Sequence, residues 1–338
     1  MFTKIYDKIK NFMKENYKYI LGLIVFYLIL TYPLDYYIFT GGGISNINTR
    51  ITVEDGYKEK GSLNISYVSE LQGNTLTYIL SYIMPNWKRE KINNYKYDDN
   101  ETIEDINFRS NLDLESTNSR AVKIAYELAG KDYKTIDTKI YVTYVSDEYK
   151  TALKVKDQIL TINDKHFETT DEYKKYINTL EEGDTVKVKV LRNKEEKIIN
   201  TKIYKLKDRL ILGVMLEQLS TYEVNPKIKI KFNSREQGPS GGLITTLYIY
   251  NQLTEKDLTN SYKIAGTGTI EEDHTIGEIG EVKYKLLGAV KEKADVFIVP
   301  NGTNYKTCIK AKKEKNLKIK IIGVSTIEEA IQKLGELK

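Results

Sequence analysis

Cysteine and histidine are nearly absent from this chain. A single cysteine, Cys308, excludes a disulfide framework within the chain and every cysteine-rich zinc module. The two histidines, His166 and His274, lie far apart and give no basis for a multi-histidine metal site. Proline (5) and glycine (21) are too sparse for a collagen-like or low-complexity chain of 338 residues. With 41% hydrophobic residues, wholesale disorder is excluded as well. Strong charge of one sign is also lacking. The net charge is +5, and +3 of it belongs to residues 1–18, where Lys4, Lys8, Lys10, Lys14 and Lys18 face only Asp7 and Glu15. The remainder is nearly balanced and carries no nucleic-acid footprint. No G-x-x-x-x-G-K-[ST] loop occurs, since Gly130-Lys131 is followed by Asp132. Gly266-x-Gly268 has no third glycine at position 271, so there is no dinucleotide fingerprint. Neither ATP nor any other cofactor is implied.

Residues 19–34, YILGLIVFYLILTYPL, carry no charge and are closed by Lys18 and Asp35. As a helix the run spans about 24 Å, against about 30 Å of hydrocarbon. Tyr17, Tyr19, Tyr32, Tyr36 and Tyr37 flank it, and tyrosine favours headgroup depth. The reading is one transmembrane helix over 17–39, an uncleaved signal anchor, because no A-x-A site follows. Residues 1–16 are then a basic cytoplasmic tail, and everything from about 40 onward is extracytoplasmic. Gly41-Gly42-Gly43 reads as a flexible exit from the membrane.

Residues 40–137 read as strands at 51–53 and 63–68, a solvated loop with helical pieces over 88–112, and a helix over 115–130 that Gly130 ends. Residues 138–206 form a second unit. Ile140, Val142 and Val145 open it, and Thr169-x-x-Glu172 caps a helix carrying Tyr173, Tyr176, Ile177 and Leu180. Gly183-Asp184 turns into the alternating Val186, Val188 and Val190. This order, with Leu153 through Lys165 set against L-x-x-G-D-x-I-L-x-I-[ND]-G, resembles a PDZ domain. Lys156 and Asp164 stand where that pattern has glycine. The resemblance implies capture of an extended peptide at a sheet edge beside a helix. A purely structural spacer is the alternative.

Residues 226–338 carry the chemistry. Ile228, Ile230 and Phe232 alternate as a strand that runs into Gly238-Pro239-Ser240-Gly241-Gly242 and then a helix from Leu243. Ser240 therefore enters a helix N-terminus, where free N–H groups favour a negative oxygen. On this segment alone, the ordinary N-cap is the favoured reading of Ser240, because serine caps are common. His274 lies in a polar turn and His166 in the PDZ-like unit, so a Ser-His-Asp triad is poorly supported. Lys285 shares a helical stripe with Val282, Leu286 and Ala289, and burial there would lower its pKa as a lysine base requires.

Residues from about 226 to 335 resemble the proteolytic domain of Lon proteases. The loop at 238–242 is similar to G-P-S-A-G, with Gly241 for alanine. Residues 280–289 are similar to G-G-x-x-x-K-x-x-A-A, with Glu281 for the second glycine and Gly288 for the first alanine. Thr267-Gly268 resembles the family's Thr-Gly. The resemblance implies Ser240 as nucleophile, Lys285 as base and Thr267 as the group orienting the lysine. Gly238, Pro239 and Gly241 would shape the oxyanion loop. The whole layout resembles the membrane-bound, ATP-independent Lon-like PDZ proteases of Gram-positive bacteria, the YlbL/SepM type. The expectation is an α+β chain: a Lon-type proteolytic domain (207–338, with 40–137 supplying its first strands), a PDZ-like β-rich unit at 138–206, and one N-terminal transmembrane helix. Its implied work is cleavage of extracytoplasmic or membrane-anchored peptides by a single-pass cell-membrane enzyme that needs no ATP. The implied partners are peptides or small exported proteins and the membrane, with no nucleic acid; a homo-oligomer is compatible. The alternative is a catalytically weak PDZ scaffold that binds exported peptides.

Overall fold

The computed structural model describes residues 2–233 and 235–337. In chain order its elements begin with helix α1 (Phe2–Thr31) and strands β1 (Pro33–Asn46), β2 (Ile51–Val53) and β3 (Ser62–Asn74). Helix α2 (Thr75–Ile83), strand β4 (Lys88–Lys91), helix α3 (Ile103–Leu128) and strands β5 (Asp132–Val145) and β6 (Gln158–Ile162) follow. Next come α4 (Thr170–Ile177), β7 (Thr185–Arg192), β8 (Glu195–Lys202), β9 (Tyr204–Leu206), β10 (Arg209–Ile211), β11 (Val214–Asn225) and β12 (Ile228–Ile230). The chain ends with α5 (Gly242–Leu253), β13 (Lys263–Gly266), α6 (Val282–Lys291), β14 (Val296–Pro300), α7 (Thr303–Glu314), β15 (Lys320–Val324) and α8 (Ile327–Gly335). Two compact units result: Met1–Gly41 with Ser69–Tyr95, and Gly42–Val68 with Lys96–Lys338.

The first unit corrects the expected membrane span. Helix α1 stops at Thr31, and Pro33 opens a strand instead of continuing the helix to residue 39. The cause is local: proline has no N–H to give and disfavours helical backbone at the residue before it. The uncharged helical part, residues 19–31, is only about 20 Å long. Among the described residues no helix is long and apolar enough to cross a membrane. Strand β1 then pairs antiparallel with β4, Tyr36 opposite Lys91 and Phe39 opposite Lys88. Tyr37, Ile38 and Phe39 are buried there. Helix α2 starts with a capping box between Asn74 and Thr77.

In the second unit a sheet runs in the order β15-β14-β13-β3-β1. The pairings β15-β14, β14-β13 and β13-β3 are parallel. Successive side chains alternate between two cores, as a strand covered on both faces must. Ile264, Val296 and Ile298 pack with α3, α5 and α8. Ala265, Phe297 and Val299 pack with α6 and α7. Helix α5 is buried nearly all round, which is why its residues are apolar or small polar on every face.

Three local readings change. The glycines at 41–43 lie within β1, not in a flexible exit; Gly42 and Gly43 are buried. A Cβ on Gly288 of α6 would stand 2.7 Å from the Gly43 nitrogen and 2.8 Å from the Gly42 carbonyl carbon, so glycine at 288 is what lets helix and strand approach. Helix α3 begins at Ile103, not 115, inside the stretch expected as loop. Thr102 and Asp105 form its capping box, and Ile106 and Leu112 are buried among charged neighbours. Residues 88–91 are strand.

The remaining sheet is antiparallel, ordered β11-β5-β6-β7-β8, with its own core under α4. Lys156 (φ 76°) and Asp164 (φ 61°) both adopt the left-handed backbone that glycine favours. Asp157, fully buried, steadies the first of these turns: both its oxygens accept from Arg192, at 2.6 and 2.7 Å, and one also accepts the Lys154 N–H. Strands β5 and β11 pair along their whole length, from Val214 opposite Val145 to Asn225 opposite Asp132. Their far ends lie against α3, while β2 pairs β12 and β3 pairs β13. Chain on both sides of this antiparallel sheet therefore shares the parallel sheet's core.

Candidate active site

The parallel sheet gives the site its position. Strand β13 ends at Gly266, and Thr267 follows at its carboxyl end, where helices from both faces converge. Helix α5 brings Ser240 from one side, and α6 brings Lys285 from the other.

Lys285 Nζ donates to Ser240 Oγ at 2.7 Å and to Thr267 Oγ1 at 3.2 Å. Thr267 Oγ1 donates in turn to the Ser240 carbonyl at 3.0 Å. The Gly268 N–H donates to the same carbonyl at 2.9 Å, and Gly268 accepts the Leu243 N–H at 3.0 Å. Thr267 is fully buried and Lys285 is 5% exposed. Lys285 shares the buried face of α6 with Val282, Leu286, Gly288 and Ala289. Burial pushes its pKa down to about 8, with Glu281 pulling weakly the other way. Its backbone is held as well: Ser66 Oγ, fully buried on β3, donates to the Lys285 carbonyl at 2.7 Å.

The N-cap alternative for Ser240 does not fit this geometry. Gly241 is the cap residue of α5, and no side chain caps that helix. The Ser240 hydroxyl faces the lysine instead. Gly238 takes φ 81°, a conformation that favours glycine, and its N–H donates to the Ser110 carbonyl on α3 at 2.8 Å. That N–H is therefore engaged and Pro239 has none, so of the loop expected to hold an oxyanion only the N–H groups of Ser240 and Gly241 remain. No backbone carbonyl among the described residues pairs with either. His274 meets Glu328 at 2.5 Å, and His166 meets the Leu160 carbonyl at 3.1 Å; neither is bonded to Ser240. Glu281 precedes α6 at φ 56°, a left-handed position where glycine would be unstrained.

Ser110, Ser66 and Gly238's engaged N–H escaped the reading from sequence. Their roles are contacts between distant segments and leave no local pattern.

Residues 231–335 match the Lon protease (S16) C-terminal proteolytic domain, and residues 113–203 match the PDZ domain. Over 98 residues the chain is 31% identical to a Lon protease of Desulfatibacillum aliphaticivorans; the stretch is 29% of this chain and 12% of that protein. The chain thus spans a small part of that relative's length. The PDZ domain of an SdrC-like protein from Listeria monocytogenes aligns at 25% identity over 23% of this chain and 85% of its own length, with a TM-score of 0.22. The corresponding domain from Listeria innocua aligns at 24% identity over 23% of this chain and 92% of its own, also at 0.22. The chain accordingly carries a PDZ domain and a Lon-type C-terminal proteolytic domain.

Proposed function

We propose that the protein is a serine endopeptidase working through a Ser240–Lys285 dyad. The observation that carries this is a lysine 5% exposed, with its pKa lowered to about 8, bonded at 2.7 Å to a serine at a helix N-terminus. Neutral Lys285 takes the Ser240 proton as Oγ attacks a peptide carbonyl, and an acyl-enzyme forms. The N–H groups of Ser240 and Gly241 receive the oxyanion, aided by the positive end of α5. Lys285 then passes its proton to the leaving amine and activates water for deacylation. Thr267 fixes the lysine, while Gly238 and Pro239 shape the loop. With no phosphate-binding loop in the chain, the reaction is proposed to proceed without ATP.

The PDZ domain is proposed to deliver substrate. Strand β11 is an edge of its sheet with α4 beside it, and Met215 is exposed there, which supports strand addition by an extended peptide. Residues 19–31 of α1 expose apolar side chains on every face behind a lysine-rich segment. That supports contact with a membrane and action on small exported or membrane-anchored peptides outside it, in the manner of the YlbL/SepM type.

The test is covalent labelling with a serine-reactive fluorophosphonate. One adduct on Ser240, lost in Ser240→Ala, is expected. A folded protein that takes no label, while still binding peptides, would leave the PDZ scaffold reading.

A further inference from the structure

The segment 267–270 is the template on which both members of the dyad rest. Thr267 contacts Lys285 and the Ser240 carbonyl, and Gly268 exchanges backbone bonds with Ser240 and Leu243. Ile270 packs against the start of α5: a Cβ on Gly242 would lie 2.8 Å from Ile270 Cγ2. The Ile270 carbonyl is outside any strand ladder, and its donor is a side chain from α3. Arg120 Nη1 reaches it at 2.9 Å. Nη2 of the same guanidinium meets Glu217 at 3.4 Å and Nε meets Glu272 at 3.3 Å, while Nη1 also lies 3.6 Å from Glu271. The Arg120 side chain is 16% exposed.

Glu217 connects this cluster to the antiparallel sheet. It lies on β11, and its neighbour Gln218 accepts the Thr170 N–H that begins α4, at 3.0 Å. Arg120 therefore stands between the edge strand β11 and the segment that holds the dyad.

We infer that Arg120 is a positioning residue for the Ser240–Lys285 reaction, fixing segment 267–270, and with it Thr267, against strand β11. This rests on the dyad reading above. The geometry calls for arginine specifically: one planar fork serves a carbonyl and three carboxylates at once, which a lysine point charge does not reproduce. If Arg120 served only the fold, its loss would lower stability and leave the chemistry of the folded fraction unchanged.

The full chain is labelled with a small fluorophosphonate between pH 6 and 9, with thermal melting in parallel. Two variants are compared with wild type: Arg120→Lys, and the pair Arg120→Met with Glu217→Gln, which leaves no orphaned carboxylate at position 217. Both are expected to label Ser240 at least tenfold more slowly while folded. Their pH midpoint moves down, because a displaced Thr267 no longer accepts from the lysine ammonium. Glu217→Gln alone keeps the bond to Ile270 but loosens the hold on β11, so it is expected to slow labelling less than the paired variant does. Wild-type rate and midpoint in the paired variant would overturn the inference, and so would full rescue by Arg120→Lys. Absence of label on wild-type Ser240 would instead bring down the dyad reading itself.

Discussion

The two sheets of the second unit solve burial differently. The parallel sheet is covered on both faces, and every residue of β14 is buried. What such a sheet leaves free is the carboxyl ends of its strands, and there Thr267 meets Ser240 and Lys285. The antiparallel sheet keeps one face wet, as the alternation along β7 and β8 shows, and keeps β11 as an edge. One region removes water from an amine and so changes its chemistry. The other ends in an edge strand, the kind of strand to which another can be added. The proposed function divides catalysis from capture along that line.

The sharpest break of the comparison is to deny the buried amine its neutral form. Lys285→Arg keeps a cation in place, but arginine does not deprotonate in proteins. Cleavage is expected to fall by at least ~10³-fold with the fold intact by circular dichroism, a loss of the order seen when a general base is removed. Near-normal turnover would show that the base lies elsewhere.

The same burial carries a cost in stability. The folded pKa of about 8 lies below the ordinary 10.5, so between these values the unfolded chain holds more protons and stability rises with pH. Below pH 8 the penalty is constant, about 3 kcal/mol at most from the size of the shift. Lys285→Met is therefore expected to be inactive yet more stable at pH 7. Its advantage should shrink as pH climbs from 8 to 10.5, read by denaturant melts at each pH. An advantage independent of pH would mean the lysine is not desolvated as its burial requires.

The Ser240–Lys285 pair was legible only through the family resemblance, which rests on residue types within short segments: Gly-Pro-Ser-Gly-Gly before a helix, Thr-Gly after a strand, and a lysine on an apolar stripe. The surroundings were not. The first half of α3 hid behind its charges, since Ile106 and Leu112 are widely spaced among Glu104, Asp105, Arg109 and Asp113. Hydropathy marked residues 19–34 correctly as uncharged, but it carries no information on where Pro33 turns helix into strand. The glycines at 41–43 suggested flexibility because the close approach that demands small residues comes from Gly288, far along the chain. Arg120 acts only through tertiary contacts, so nothing local singles it out.

Capture is tested at the free edge. Met215 is 46% exposed on β11, and Met215→Asp sets a charge where an added strand would lie. Ile177 on α4 is 1% exposed and would damage the core if charged, so the edge strand is the cleaner target. Cleavage of a long natural substrate is expected to fall several-fold, and cleavage of a short synthetic peptide to fall less, because the short one gains little from remote binding. Equal losses on both would reduce the antiparallel sheet to a spacer.

The smallest expected effect separates backbone strain from charge at the entrance to α6. Glu281 sits at φ 56°, where a side chain costs about 1–2 kcal/mol relative to glycine. Glycine returns roughly 0.5–1 kcal/mol of that to the unfolded chain as entropy. Glu281→Gly should therefore stabilise by about 0.5–1 kcal/mol, read from chemical denaturation at fixed pH. Glu281 also holds the Lys285 pKa up against the larger effect of burial. Removing its charge should move the rising limb of the pH–rate profile to lower pH. Glu281→Gln removes the charge and keeps the strained backbone, so it should reproduce the pH shift without the gain in stability. If neither variant moves the profile, the rising limb does not report Lys285, and the desolvated amine loses its place as the group that sets the pH dependence.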